Sequence, residues 1–226
     1  MPAADGPRRT RKPAAPRRGG RPSRAAAEQL GEKILDAATA LFLTGGYGVT
    51  SIEAIARRAG ISKRTFYSRF RDKAALFGAV VRRVVERLRA GNDAELFEGG
   101  TIEEILTRLA GYILRAALSP QALALYRVIL AEATRFPELA TVVNEQGGSR
   151  EAIDRIAALL EREAHAAQFM PENTSFAAAQ FLQIVVALPQ RRALGLGAPL
   201  TPAELEAWPH DAVALFLNGW RGSLRR

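Results

Sequence analysis

The stretch from Thr50 to Phe77, TSIEAIARRAGISKRTFYSRFRDKAALF, holds the side chains whose types and spacing best suit chemistry. Within it, Lys63, Arg64, Thr65, Ser68 and Arg69 are cations or hydroxyls, and Tyr67 adds a phenol. They contain no nucleophile paired with a base. What they offer is hydrogen-bond donation to anionic and polar edges. A guanidinium reads the two acceptors of guanine in a fork, and hydroxyls serve bases or phosphates alike. Phe66 and Phe70, four residues apart, face the opposite way and anchor the segment. Lys73 follows at the start of the next helix, close enough to neutralise a phosphate.

Positioning such a set requires short, well-delimited helices. A first helix, from Ser51 to Ala59, presents Ile52, Ile55 and Ala56 to a core, with Thr50-x-x-Glu53 reading as a capping box at its start. Gly60 breaks it, since glycine accepts a turn with positive φ, and small Ala56 lets two helices cross closely. Ser62 then caps the second helix. This is the helix-turn-helix spacing, in which the second helix lies in a DNA major groove. Thr50 and Ser62, at the two helix starts, complete the expected DNA-contacting set of Thr50, Ser62, Lys63, Arg64, Thr65, Tyr67, Ser68, Arg69 and Lys73. A preceding helix, with Ile34, Leu35, Ala38, Leu41 and Phe42 on one face, stops at Gly45-Gly46.

Two spaced patterns within this segment carry a resemblance. Ile55-Ala56-x-x-Ala59-Gly60-Ile61-Ser62, followed by Tyr67-x-x-Phe70-x-x-Lys73-x-x-Leu76-Phe77, resembles the DNA-binding domain of the TetR family over about Leu30 to Leu76. The resemblance implies a homodimer whose recognition helices enter successive major grooves of a near-palindromic operator in double-stranded DNA. Carried over by position, Thr65, Tyr67 and Lys73 match phosphate-holding residues, whereas Lys63, Arg64, Ser68 and Arg69 match positions that face bases or backbone variably. Arg69 stands where histidine is common, so the operator sequence does not follow from the resemblance.

Composition agrees with a polyanionic partner at one end only. The net charge of +9 divides into +7 for residues 1–24, +6 for residues 25–90 and −4 for residues 91–226. Residues 1–24 hold eight cations among Pro, Gly and Ala, too few apolar groups to fold alone, and read as a disordered basic arm. The absence of cysteine excludes disulfides, thiol catalysis and Cys-based zinc sites. His165 and His210 are the only histidines, and Glu161, Glu163 and His165 lack the second Glu-x-x-His helix of a di-iron site. No phosphate loop or nucleophile elbow occurs, so no enzymatic activity and no cofactor is expected. No apolar run is long enough to span a membrane and no apolar leader segment is present, so a cytoplasmic protein without a membrane partner is expected.

The rest of the chain reads as helices, and strand signals are absent. Thr101-x-x-Glu104 is a capping box, Thr201-Pro202-x-Glu204 places proline at a first helical position, and Ser119-Pro120 marks another start. The expected fold is all-α, with about nine or ten helices of ordinary length. Residues 25–77 form a three-helix helix-turn-helix domain, and 78–226 a larger helical ligand-binding and dimerisation domain.

Around Leu125, LYRVILAEATRFPELA resembles the ligand-binding domain of AefR-like TetR regulators over roughly 119–195. This resemblance implies repression relieved by an unknown small-molecule effector, apolar or aromatic if Tyr112, Tyr126 and Phe181 line its cavity. Glu132 shares a helix face with Leu125, Val128 and Phe136, so its carboxylate needs a partner: Arg127 or Arg135, or the ligand itself. Phe176–Leu188, apolar on more than one face, is expected to pack on the protein's own core and on a partner at once, and with Val213, Phe216, Leu217 and Trp220 to supply the four-helix dimer interface that the resemblance implies. A C-terminal protein-interaction module, or an activator, is the alternative reading.

The arm generates a direct test. Deleting residues 2–24 is expected to weaken DNA binding broadly and flatten its dependence on salt, since each phosphate-neutralising cation adds to the slope. Titrations of DNA at several salt concentrations check this, and an unchanged slope means that the arm takes no part.

Overall fold

The computed structural model describes residues 24–89, 96–166 and 173–222. The basic arm, apart from Arg24, therefore lies outside the described residues, as do the side chains of His165 and Trp220. Among the described residues there are ten α-helices and no strand. They are α1 (Arg24–Gly45), α2 (Ile52–Ala59), α3 (Lys63–Tyr67), α4 (Lys73–Leu88), α5 (Ile102–Ala117), α6 (Pro120–Glu132), α7 (Glu138–Gln146), α8 (Ser149–Ala166), α9 (Thr174–Ala193) and α10 (Pro202–Gly222). The all-α reading agrees with this.

Most helix starts follow from capping chemistry. Thr101 and Glu104 close a reciprocal capping box on α5, and Ser119 accepts from the Ala122 amide with Pro120 in the first turn of α6. Thr201 and Glu204 exchange the same bonds at the start of α10. The expected box at Thr50 is off by one residue. Ser51 is the N-cap of α2, accepting from the Ala54 amide at 3.1 Å. The Thr50 hydroxyl is turned inward instead, donating to Gly46 O at 2.7 Å and Leu41 O at 3.2 Å.

Two apolar cores organise the chain. The head core joins Ile34, Ala38 and Phe42 of α1 to Ile55, Phe66, Leu76, Phe77 and Val80. It also takes in Val84 far along α4, Leu125 and Val128 of α6, and Leu139 of α7. Residues beyond 77 thus help to build the head. Arg83 ties α4 to α1 within this region, donating to Asp36 at 2.8 Å and to the Thr39 hydroxyl at 2.6 Å. The body core is separate and packs α5, α8, α9 and α10 around Leu106, Ile156, Leu160, Phe181 and Val213.

The two last long helices each divide into inward and outward faces. Ala178, Phe181, Val185 and Pro189 of α9 point into the body core. Val213, Phe216 and Leu217 of α10 do the same, which corrects their expected place in a dimer interface: they are buried in the protein's own core. Among the described residues, the large apolar side chains that these helices expose are Phe176, Leu188 and Leu215.

Pro189 lies inside α9 and has no N–H to return to Val185 O, four residues back. The indole Nε1 of Trp208 on α10 donates to that carbonyl at 2.9 Å. An unpaired buried acceptor is thereby avoided.

This generates a stability prediction. Trp208→Phe strands the carbonyl and is expected to cost about 1–3 kcal/mol. The cost should shrink when Pro189→Ala restores a backbone donor. Urea unfolding of the four proteins in a double-mutant cycle measures the difference. An equal cost in both backgrounds would show that the indole bond contributes nothing.

Candidate nucleic-acid interface

The α3 segment is five residues long, too short to persist by itself, so tertiary contacts must hold it. Phe66 provides the main anchor. It is wholly buried, packs against Phe70 at a centroid distance of 5.8 Å, and contributes about 1.5–3 kcal/mol by burial. Gly60 makes the turn from α2, with φ +68° as the left-handed C-cap. Ser62 then caps α3, accepting from the Thr65 amide at 3.1 Å and pairing with the Thr65 hydroxyl at 2.9 Å. Ser68 donates its hydroxyl to Thr65 O at 2.7 Å.

With Phe66 directed inward, Ser62, Lys63, Arg64, Tyr67, Ser68 and Arg69 are brought together on the exposed side. Tyr67 is 56% exposed, unusual for a large aromatic ring that could pack instead. Thr65 is half-buried behind them. The Arg69 guanidinium lies against Gly31 of α1, 3.4 Å from where a β-carbon would stand. Lys63 pairs with Glu53 on α2. This hydrogen bond pulls the Glu53 carboxyl below its ordinary range and lifts the Lys63 ammonium above its own. Glu53 was not among the expected site residues. Its separation from Lys63 by ten positions across a turn hides the pair from helical spacing rules.

Two of the expected DNA-contacting residues are engaged within the head itself. Thr50 is buried, and its hydroxyl is used within the turn after α1. Lys73 donates to Tyr47 O at 2.8 Å, Thr50 O at 3.1 Å and Gly48 O at 3.4 Å, one carbonyl for each ammonium proton. It also lies 4.3 Å from the centre of the Tyr47 ring. Burial pushes its pKa down, opposed by Glu132 and Glu138. Lys73 thus braces the head through all three ammonium protons.

The expected ligand-binding residues separate as well. Phe181 is fully buried in the body core, edge-to-face with Phe216 at 5.1 Å. Glu132 sits at the head, where both carboxylate oxygens accept from the Gly48 amide at 3.0 Å. Its partner is a backbone donor, in place of the expected arginine. Arg127 donates to Ala193 O at 3.4 Å, and Arg135 lies 5.3 Å from the centre of the Phe136 ring. Tyr112 and Tyr126 are half-buried, and the Tyr112 hydroxyl donates to Leu88 O at 2.9 Å, close to the end of α4.

Among the described residues, no group of three or more His, Cys, Asp or Glu side chains is placed to hold a metal ion. No single helix among them is long and apolar enough to cross a membrane.

Known proteins share this arrangement. Residues 34–80 match the family described as bacterial regulatory proteins, tetR family. Residues 104–221 match the AefR-like transcriptional repressor C-terminal domain. A TetR-family regulator from Mesorhizobium loti superposes with a TM-score of 0.69 at 30% identity, covering 87% of this chain and 98% of that one. The flavonoid-responsive regulator FrrA superposes with a TM-score of 0.68 at 32% identity, covering 85% and 97%. The transcriptional repressor KstR of Mycolicibacterium smegmatis is 34% identical over 85 residues, 38% of this chain and 42% of its own. ComR of Escherichia coli is 36% identical over 76 residues, 33% and 36%. The match thus spans under half the length of either repressor. With both segments matched and near-complete overlap with solved relatives, the chain belongs to the TetR family: it is a DNA-binding transcriptional regulator and not an enzyme.

Proposed function

We propose that this regulator is a repressor that binds a near-palindromic operator as a homodimer and releases it when a small molecule binds the body. The observation that carries the reading is the exposed set on α3. Arg64, Tyr67, Ser68 and their neighbours stand on the solvent side of a helix whose other side is anchored by Phe66. In this reading Arg64 and Lys63 face bases or backbone, while Thr65 and Tyr67 hold phosphates. The named repressors KstR and ComR support repression. The outward apolar residues Phe176, Leu188 and Leu215 support pairing of α9 and α10 with a second copy. FrrA, by name responsive to flavonoids, supports an aromatic effector. Tyr112 and Tyr126 are the residues here that would meet it. Such an effector acts by favouring a dimer whose heads no longer match half-sites about one helical turn apart.

Selection from a random duplex pool tests this directly. Two inverted half-sites are the expected product, and salt-sensitive binding without sequence preference would overturn it. On the selected duplex, Arg64→Ala is expected to cost about 1–3 kcal/mol and to relax preference at one position of each half-site. An equal loss on every sequence would remove Arg64 from base reading.

The Lys63 pair yields a prediction of opposite sign. Glu53→Gln removes an anion beside the phosphates and releases Lys63. Affinity should rise and the salt slope should steepen by about one counterion, read by fluorescence anisotropy across salt concentrations. Unchanged affinity would mean that Lys63 does not meet DNA.

A further inference from the structure

The turn between α1 and α2 is held from three directions by polar groups. Its Gly48 amide is taken by Glu132, the last residue of α6, across 84 positions of sequence. Its carbonyls at Tyr47, Gly48 and Thr50 are taken by Lys73, the first residue of α4. Its Gly46 carbonyl is taken by the Thr50 hydroxyl. A β-carbon at residue 46 would lie 2.5 Å from one Glu132 oxygen, and one at residue 48 would lie 2.7 Å from the other and 3.0 Å from the Phe136 ring. Both glycines are therefore required for the carboxylate to come so close, and Gly46 also adopts φ +85°.

The location of this contact gives it a consequence. The turn leads straight into the Ser51 cap of α2, and Lys73 opens α4, so the two ends of the α2–α3 unit are fixed at one place. Leu125, Val128 and Ile129 of α6 also meet the head core through apolar contacts, and dispersion has no direction. The carboxylate bond is directional and short in range. A shift of α6 by one residue's rise, about 1.5 Å, carries a 3.0 Å bond beyond hydrogen-bonding distance. The contact is thus present or absent with little between.

We propose that Glu132 is a positioning residue for DNA reading: its carboxylate latches the end of α6 to the Gly46–Thr50 turn and so fixes the aim of α2 and α3. This rests on the DNA-binding reading of α3 and is independent of what the effector is. Because coupling between sites is reciprocal, DNA held by the head must in turn quieten the end of α6.

Hydrogen exchange on the full chain, with and without the selected duplex, tests the latch without any effector. In the parent protein the duplex is expected to slow exchange in residues 46–80 and also in residues 126–140. In Glu132→Ala the head should still be protected, protection of 126–140 should vanish, and duplex affinity should fall roughly 5- to 150-fold. Gly48→Ala should reproduce this with the carboxylate intact. Glu132→Gln, which keeps one acceptor oxygen, should fall between and carries the comparison if the alanine variant does not fold. Equal protection of 126–140 in parent and variants overturns the proposal, and so does its absence from the parent. Failure to select any duplex sinks the DNA reading itself, and the latch with it.

Discussion

A turn packed beside aromatic rings keeps its shape only if its backbone donors and acceptors find partners, and the Gly46–Thr50 turn finds them in three side chains. Lys73 supplies the donors, Glu132 the acceptor, and Thr50 closes the turn on itself. Around them Tyr47 meets Phe42, Phe77 and Phe136 with ring centroids 5.2–5.6 Å apart, joining α1 and α4 to the segment after α6. Burial and the neighbouring Glu138 raise the Tyr47 pKa, so the phenol stays neutral in this cage. An ammonium among rings and carbonyls gains from both, which explains why a lysine placed so near the expected DNA surface turns inward.

The short α3 depends on that platform. Five residues cannot nucleate a stable helix, so α3 exists because Phe66 is buried, Ser62 caps its first turn and Gly60 permits its angle to α2. The same constraint makes its outer face available: with the anchor inside, the cations and hydroxyls have nowhere else to go. The excess positive charge of residues 25–90 is carried by this folded head.

The body uses different physics. Its four main helices are held by apolar packing. Where a polar group would be stranded, a specific donor appears, as Trp208 does for the carbonyl that Pro189 leaves open. Contacts between body and head combine both kinds. Apolar side chains of α6 and α7 pack into the head core, and polar bonds such as Gly48 to Glu132, Tyr112 to Leu88 and Arg89 to Glu151 cross between elements.

The helical class, most helix starts and the inward or outward direction of α3 residues were determined by the sequence alone. Periodicity and capping are local, and Ser62, Thr101 and Thr201 act within three residues of themselves. Tertiary structure decided the partners of charged and polar groups. Glu132 meets an amide 84 positions away, Lys73 meets carbonyls more than 20 positions away, and Lys63 meets Glu53 across a turn. It also decided which face of α10 is core, because Val213 and Leu215 are equally apolar and only packing against α5 and α9 distinguishes them. A hydrogen bond depends on distances of a few tenths of an ångström, and sequence spacing constrains such distances only within one helix or turn.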